Sequence, residues 1–67
     1  MNLLVNGNDL QVPSDVNTIA DVITHFFEQD PIVIVEHNGE ILEKNHHTER
    51  IVADGDKIEL VQFVGGG

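Results

Sequence analysis

The feature that constrains this chain most is a lone amphipathic helix set among strand-like segments. Ile19, Val22, Ile23, Phe26 and Phe27 fall at i, i+3, i+4, i+7 and i+8, which is one apolar face of a 3.6-residue repeat. Thr18, with Asp21 three residues on, reads as the capping pair that starts it. Asp30-Pro31 is expected to close it, because the residue before a proline is pushed out of helical geometry.

The segments on either side read as strands. Leu3 and Val5 share one face of a first strand over Met1–Val5. Asn6-Gly7-Asn8-Asp9 supplies residues that tolerate a left-handed turn. Leu10 and Val12 then alternate with Gln11, completing a hairpin that Pro13 ends. After the helix, Ile32 to His37 is β-branched and apolar, a strand buried on at least one face. Asn38-Gly39 is a strong hairpin signal leading into Glu40-Ile41-Leu42. Residues 43–50 carry no clear period and read as loop or a single turn. Ile51-Val52 is a candidate minor strand before the turn Asp54-Gly55-Asp56. The last strand, Lys57 to Phe63, puts Ile58 and Leu60 on one face and Val61 and Phe63 on the other.

One helix cannot cover both faces of such a sheet, so the order ββ-α-ββ(β) implies a two-layer α+β domain. The crossover through the helix is expected to be right-handed. A β-grasp fold fits this order, although other small α+β sheets share it. The domain is expected to span residues 1–64, with residues 65–67 as a flexible glycine tail.

Size and charge narrow the function. With 67 residues, a domain buries only about 60% of the surface of its unfolded chain. That leaves little room for an enclosed active site beside a core, and favours a module on which other proteins act. Cysteine is absent, so neither disulfides nor thiol chemistry is available. His25, His37, His46 and His47 lack recognisable zinc spacing. Twelve acidic residues stand against Lys44, Arg50 and Lys57, a formal net charge of −9. Nucleic acid and acidic lipid headgroups would be repelled by this charge, whereas a basic protein would be steered toward it. No apolar run approaches the roughly 20 residues that span a bilayer, and Met1-Asn2-Leu3 does not open a signal peptide. A cytoplasmic location is the expectation.

The candidate site is Gly65-Gly66-Gly67, directly after the last strand. Without Cβ atoms, these residues can pass through a slot that excludes others, and three extended residues reach roughly 10 Å. Such a tail could carry a terminal carboxylate into a partner's active site. A carboxylate is inert to nucleophiles until activated. Joined to AMP it becomes a mixed anhydride, which a sulfur donor could convert into a thiocarboxylate. Without cysteine the chain cannot carry sulfur as a side-chain persulfide, so the C-terminus is the remaining attachment point. A frayed tail would look the same when read alone.

The whole chain resembles the sulfur carriers of thiamine biosynthesis, the ThiS family of ubiquitin-like β-grasp proteins. The resemblance runs through Leu3-Leu4-Val5-Asn6-Gly7, Thr18-Ile19-Ala20-Asp21-Val22 and Val35 to Leu42. It is most specific in Asp54-Gly55-Asp56-Lys57-Ile58-Glu59-Leu60, leading into Phe63-Val64-Gly65-Gly66-Gly67. It implies that an ATP-dependent adenylyltransferase related to ubiquitin-activating enzymes joins AMP to the Gly67 carboxylate. ATP is consumed by that partner, and the carrier itself holds no cofactor and no metal. A cysteine desulfurase or other sulfur donor would then furnish the Gly67 thiocarboxylate, and thiazole synthase would accept the sulfur. On this resemblance Gly66 is the slender approach and Gly67 the acceptor. Gly65 is one glycine more than the family's minimal ending.

Ile34, Val61 and Phe63 are expected on the face away from the helix, and with Val64 and Gly65 they form the expected docking surface for these partners. His46-His47 reads as solvated loop, because adjacent residues rarely point the same way and no third ligand lies at a useful spacing. Asp54 and Asp56 read as turn formers rather than a catalytic pair. His37, at the edge of the core, receives no role. Three alternatives stay open. The same carboxylate chemistry could serve molybdopterin synthesis or tRNA thiolation. Gly67 could form isopeptide bonds as a covalent protein modifier. The domain could also be a purely non-covalent binding module. In none of them is the chain itself an enzyme.

Overall fold

The computed structural model describes residues 1–27 and 32–62. Strands β1 (Asn2–Val5) and β2 (Asn8–Gln11) form the first hairpin, followed by helix α1 (Ile19–Phe26). Strands β3 (Val33–His37) and β4 (Glu40–Leu42) form the second, and a single 3-10 turn (Lys44–His46) precedes β5 (Lys57–Gln62). The sheet runs β2-β1-β5-β3-β4, with β1 and β5 parallel and the other pairs antiparallel. The last strand in the chain therefore lies at the centre of the sheet. Among the described residues, no helix is long and apolar enough to cross a membrane.

The core follows the two periods in the sequence. Leu3 and Val5 of β1, Val35 of β3, Leu42 of β4, and Ile58 and Leu60 of β5 point to one face. Ile19, Val22 and Ile23 of α1 meet them, with Val12, Val16 and Val52 filling the rim. Burying a side chain of the size of Ile19 or Ile58 stabilises the fold by about 1.5–3 kcal/mol.

Helix α1 begins as expected. Thr18 Oγ1 accepts from the Asp21 amide at 3.2 Å, and the Asp21 carboxylate accepts from the Thr18 amide at 3.0 Å. The Asp21 carboxyl is held below the usual range, first by the Asn17 amide and then by that of Thr18. Its end differs from expectation. The helix stops at Phe26, and Phe27 is already extended, although its N–H still donates to the Ile23 carbonyl. Both phenylalanines pack partly buried against the core, so the apolar pattern continues one residue past the helix. Asp30 and Pro31 lie outside the described residues.

Residues 43–50 are loop around a single 3-10 turn, as read, but the segment after them differs. Ile51-Val52 is not a strand. Ile51 makes one isolated bridge to Thr18, and the Val52 N–H donates to the Asn17 carbonyl. The Ile19 and Ala20 amides, left over at the helix start, donate to the carbonyls of Arg50 and His47 at 2.9 Å each. Those carbonyls satisfy two of the four donors that the first turn of a helix leaves unpaired. The segment is thus a strap across the helix N-terminus. His46 is exposed, but His47 is buried, which corrects the reading of both as solvated.

Candidate functional site

Strand β5 is the last described element before the candidate glycine tail. Its neighbours hold it from both sides. Leu4 and Val5 pair with Lys57 and Ile58, while β3 pairs along Ile58 to Gln62. Where β1 stops, Asn6 takes over. Its N–H donates to the Ile58 carbonyl at 2.9 Å. Its Oδ1 accepts from the Leu60 N–H at 2.7 Å, and its Nδ2 donates to the Leu60 carbonyl at 3.2 Å. The side-chain amide therefore stands in for the next residue of a strand, and keeps a buried stretch of β5 satisfied toward its far end.

The start of β5 is held by charge. Asp56 Oδ2 lies 2.7 Å from Nε2 of His37 and accepts from the Ala53 N–H at 2.8 Å. Its Oδ1 accepts from Asn38 Nδ2 at 3.1 Å. Arg50 Nη1 approaches His37 Nδ1 at 3.5 Å, and its Nη2 donates to Glu40 at 2.8 Å. The Asp56 carboxylate accepts, so Nε2 of His37 carries the hydrogen shared with it. Burial alone would raise the Asp56 pKa, but the bonds from His37, Ala53 and Asn38 outweigh it and leave the carboxyl lowered. The hydrogen bond from Arg50, reinforced by its charge, lowers that of Glu40, and Glu40 in turn raises that of Arg50. Asp54 accepts from the Asn2 N–H at 2.7 Å. Both aspartates serve the turn, as expected, and Asp56 also binds His37, which is 6% exposed. Nothing local in the sequence marked that pair, whose members are 19 residues apart.

The face away from the helix is the expected docking side. Ile34 and Val61 stand directly opposite each other there, 40% and 56% exposed. One alternation back toward the start of β5, Glu36 faces Glu59 across the same strand pair, and Ile41 pairs with Glu36 from β4. The structure thus brings together Ile34 and Val61, as the alternation predicts. Phe63, Val64, Gly65, Gly66 and Gly67 lie outside the described residues. Shallow hollows occur on the helix side, lined by Asp15, Asp21 and His25 and by His46, Glu49 and Arg50, and neither includes a residue of β5.

A mixed five-stranded sheet with its last strand central, carrying one helix, defines a ubiquitin-like β-grasp domain. The sequence model of the ThiS family matches residues 2–67, and this chain belongs to that family. It is 43% identical over 65 residues to the sulfur carrier protein ThiS of Bacillus subtilis strain 168, covering 97% of this chain and 98% of that protein. The crystal structure of a thiamine biosynthesis protein (ThiS) from Geobacter metallireducens superposes with a TM-score of 0.81 at 36% identity, over 100% of both chains. The chain is also 34% identical over 67 residues to a thiazole synthase of Paramagnetospirillum magneticum, matching 100% of itself but 20% of that longer protein.

Proposed function

We propose that this protein is a sulfur carrier for the thiazole part of thiamine, a co-substrate whose working group is the Gly67 carboxylate. The observation that carries this reading is the family match over residues 2–67, which extends through the glycine tail. The carboxylate attacks the α-phosphate of ATP in the active site of an adenylyltransferase, and pyrophosphate leaves. A cysteine desulfurase supplies sulfur as a persulfide, which a thiol reductant takes to hydrosulfide while being oxidised to a disulfide, or another donor supplies hydrosulfide directly. The hydrosulfide then attacks the acyl carbon. AMP leaves, a proton is released, and a Gly67 thiocarboxylate remains. Thiazole synthase accepts its sulfur, an oxygen from water or from the acceptor substrate takes its place on the acyl carbon, and the carboxylate returns. Gly66 and Gly65 keep the approach narrow. Because the first step consumes ATP, the cycle is assigned to the cytoplasm.

The likeness to one fifth of a thiazole synthase supports this destination over molybdopterin or tRNA. A carrier-like segment within the synthase chain has a high effective concentration at that enzyme, as expected of two proteins that work together. The docking surface is assigned to Ile34, Val61, Phe63, Val64 and Gly65, beside the tail.

Intact mass after incubation with the host's adenylyltransferase, ATP and sulfide tests the chemistry. The expected gain equals replacement of one oxygen by sulfur, located at Gly67 by fragmentation. An unchanged mass, with the enzyme active on a known carrier, overturns the reading. The same assay on Val61→Asp tests the docking side, where undiminished conversion would remove that face from the mechanism.

A further inference from the structure

One pairing on the outer face works against folding. Glu36 and Glu59 lie directly opposite on β3 and β5, where like charges destabilise a sheet. Both are half-buried, so solvent ions screen them less than fully exposed groups. Neither side chain forms an ion pair or hydrogen bond among the described residues. Lys57 lies two residues before Glu59 on the same face, yet forms no ion pair with either carboxylate. A lysine at position 36 or 59 would have stabilised the strand pair.

The surroundings of this pair are apolar and open to water. Ile41 adjoins Glu36 and is 71% exposed, while Ile34 and Val61 follow toward the end of β5. Aliphatic groups around two uncompensated carboxylates match a surface that is apolar with a cation set into it. A second copy of this chain does not supply that, since two bodies of net charge −9 repel. Arginine suits the gap best, because its planar fork can donate to two carboxylates at once.

We propose that the outer face docks a protein whose arginine reaches between Glu36 and Glu59 while its apolar surface covers Ile34, Ile41 and Val61. This deepens the carrier reading and rests on it, with the host's thiazole synthase as the probe. The repulsion in the free carrier is then relieved by binding, an instance of stability given up for function.

The test compares wild type, the double variant Glu36→Gln/Glu59→Gln, and a control, Asp15→Asn/Glu49→Gln, that removes the same two charges on the helix side. Binding to the synthase is titrated at low and high salt, and thermal unfolding is followed on each free protein. The Glu36/Glu59 variant should bind about tenfold more weakly at low salt, converge with wild type at high salt, and melt higher. The control should bind within about twofold of wild type. Equal binding and salt dependence for wild type and the Glu36/Glu59 variant overturns the proposal, as does an equal loss in the control. If wild type gains sulfur at Gly67 but does not bind the synthase, the docking proposal falls and the carrier chemistry stands. If it does neither, both fall.

Discussion

Asn6-Gly7 and Asn38-Gly39 turn the two hairpins on nearly the same backbone. The φ angles are 49° and 82° in the first and 50° and 89° in the second, the left-handed pair that a two-residue hairpin turn requires. Both asparagines then use their side chains on β5, from opposite sides. Asn6 spends both amide groups on the backbone of Leu60. Asn38 divides its own, accepting from the Lys57 N–H at 2.8 Å and donating to the Asp56 carboxylate. One turn thus extends a ladder with neutral groups. The other joins a charged cluster that includes His37, Arg50 and Glu40. The same local motif is used once as a strand substitute and once as a link in an ionic network, because different residues of β5 and its approach lie within reach.

The largest effect expected in this comparison is on the charged side. Asp56→Ala removes the acceptor of three hydrogen bonds and leaves Nε2 of the buried His37 without one. A loss of about 3 kcal/mol is expected in chemical denaturation, a large share of the stability of a domain this small. A loss below about 1 kcal/mol would mean that the cluster does not anchor β5.

Next come the asparagines themselves. Asn6→Ala should cost about 2 kcal/mol, since the N–H and C=O it leaves unpaired belong to the buried Leu60. Asn38→Ala should cost about 1 kcal/mol, because its partners are exposed to water. Both alanines bear the same left-handed strain, so the difference isolates the side-chain bonds. Urea midpoints in the reverse order would break the comparison.

The smallest effect is in acid. The Asp56 pKa is lowered in the folded protein, so its charged form is the one that folding favours. Its contribution is complete above the unfolded value of about 3.9 and is lost as pH falls through the lower folded value. Asp21 and Glu40 act in the same direction. Urea midpoints taken from pH 6 to pH 3 should therefore fall less steeply in Asp56→Asn than in wild type. Asn6→Ala should keep the wild-type slope, because its clamp contains no titratable group. Parallel slopes for wild type and Asp56→Asn would show that the network contributes nothing in acid.

Much of this architecture was legible residue by residue. The helical spacing of Ile19 to Phe26, the Thr18–Asp21 capping pair and both asparagine–glycine turns stand in the structure where the pattern places them. The alternation of β5 buried Ile58 and Leu60 and exposed Val61 as expected. The strap over residues 43–52 was not legible, for a specific reason. It is held through the backbone carbonyls of His47 and Arg50, and carbonyls leave no side-chain pattern to read. The pairing of His37 with Asp56 and that of Glu36 with Glu59 were hidden for another reason, since each joins residues distant in the chain.

By itself, then, the sequence determined what is short-range: where the chain turns, which segment coils, which side of each strand is apolar, and that the glycine tail follows the last strand. These depend on local dihedral preferences and on periods of two and 3.6 residues. Only the tertiary structure decided that β5 lies between β1 and β3. With that order came the Asn6 clamp on Leu60, the burial of His37 against Asp56 and the facing carboxylates beside Ile34 and Val61. Strand order and register emerge from packing the whole apolar face at once, so no single segment encodes them.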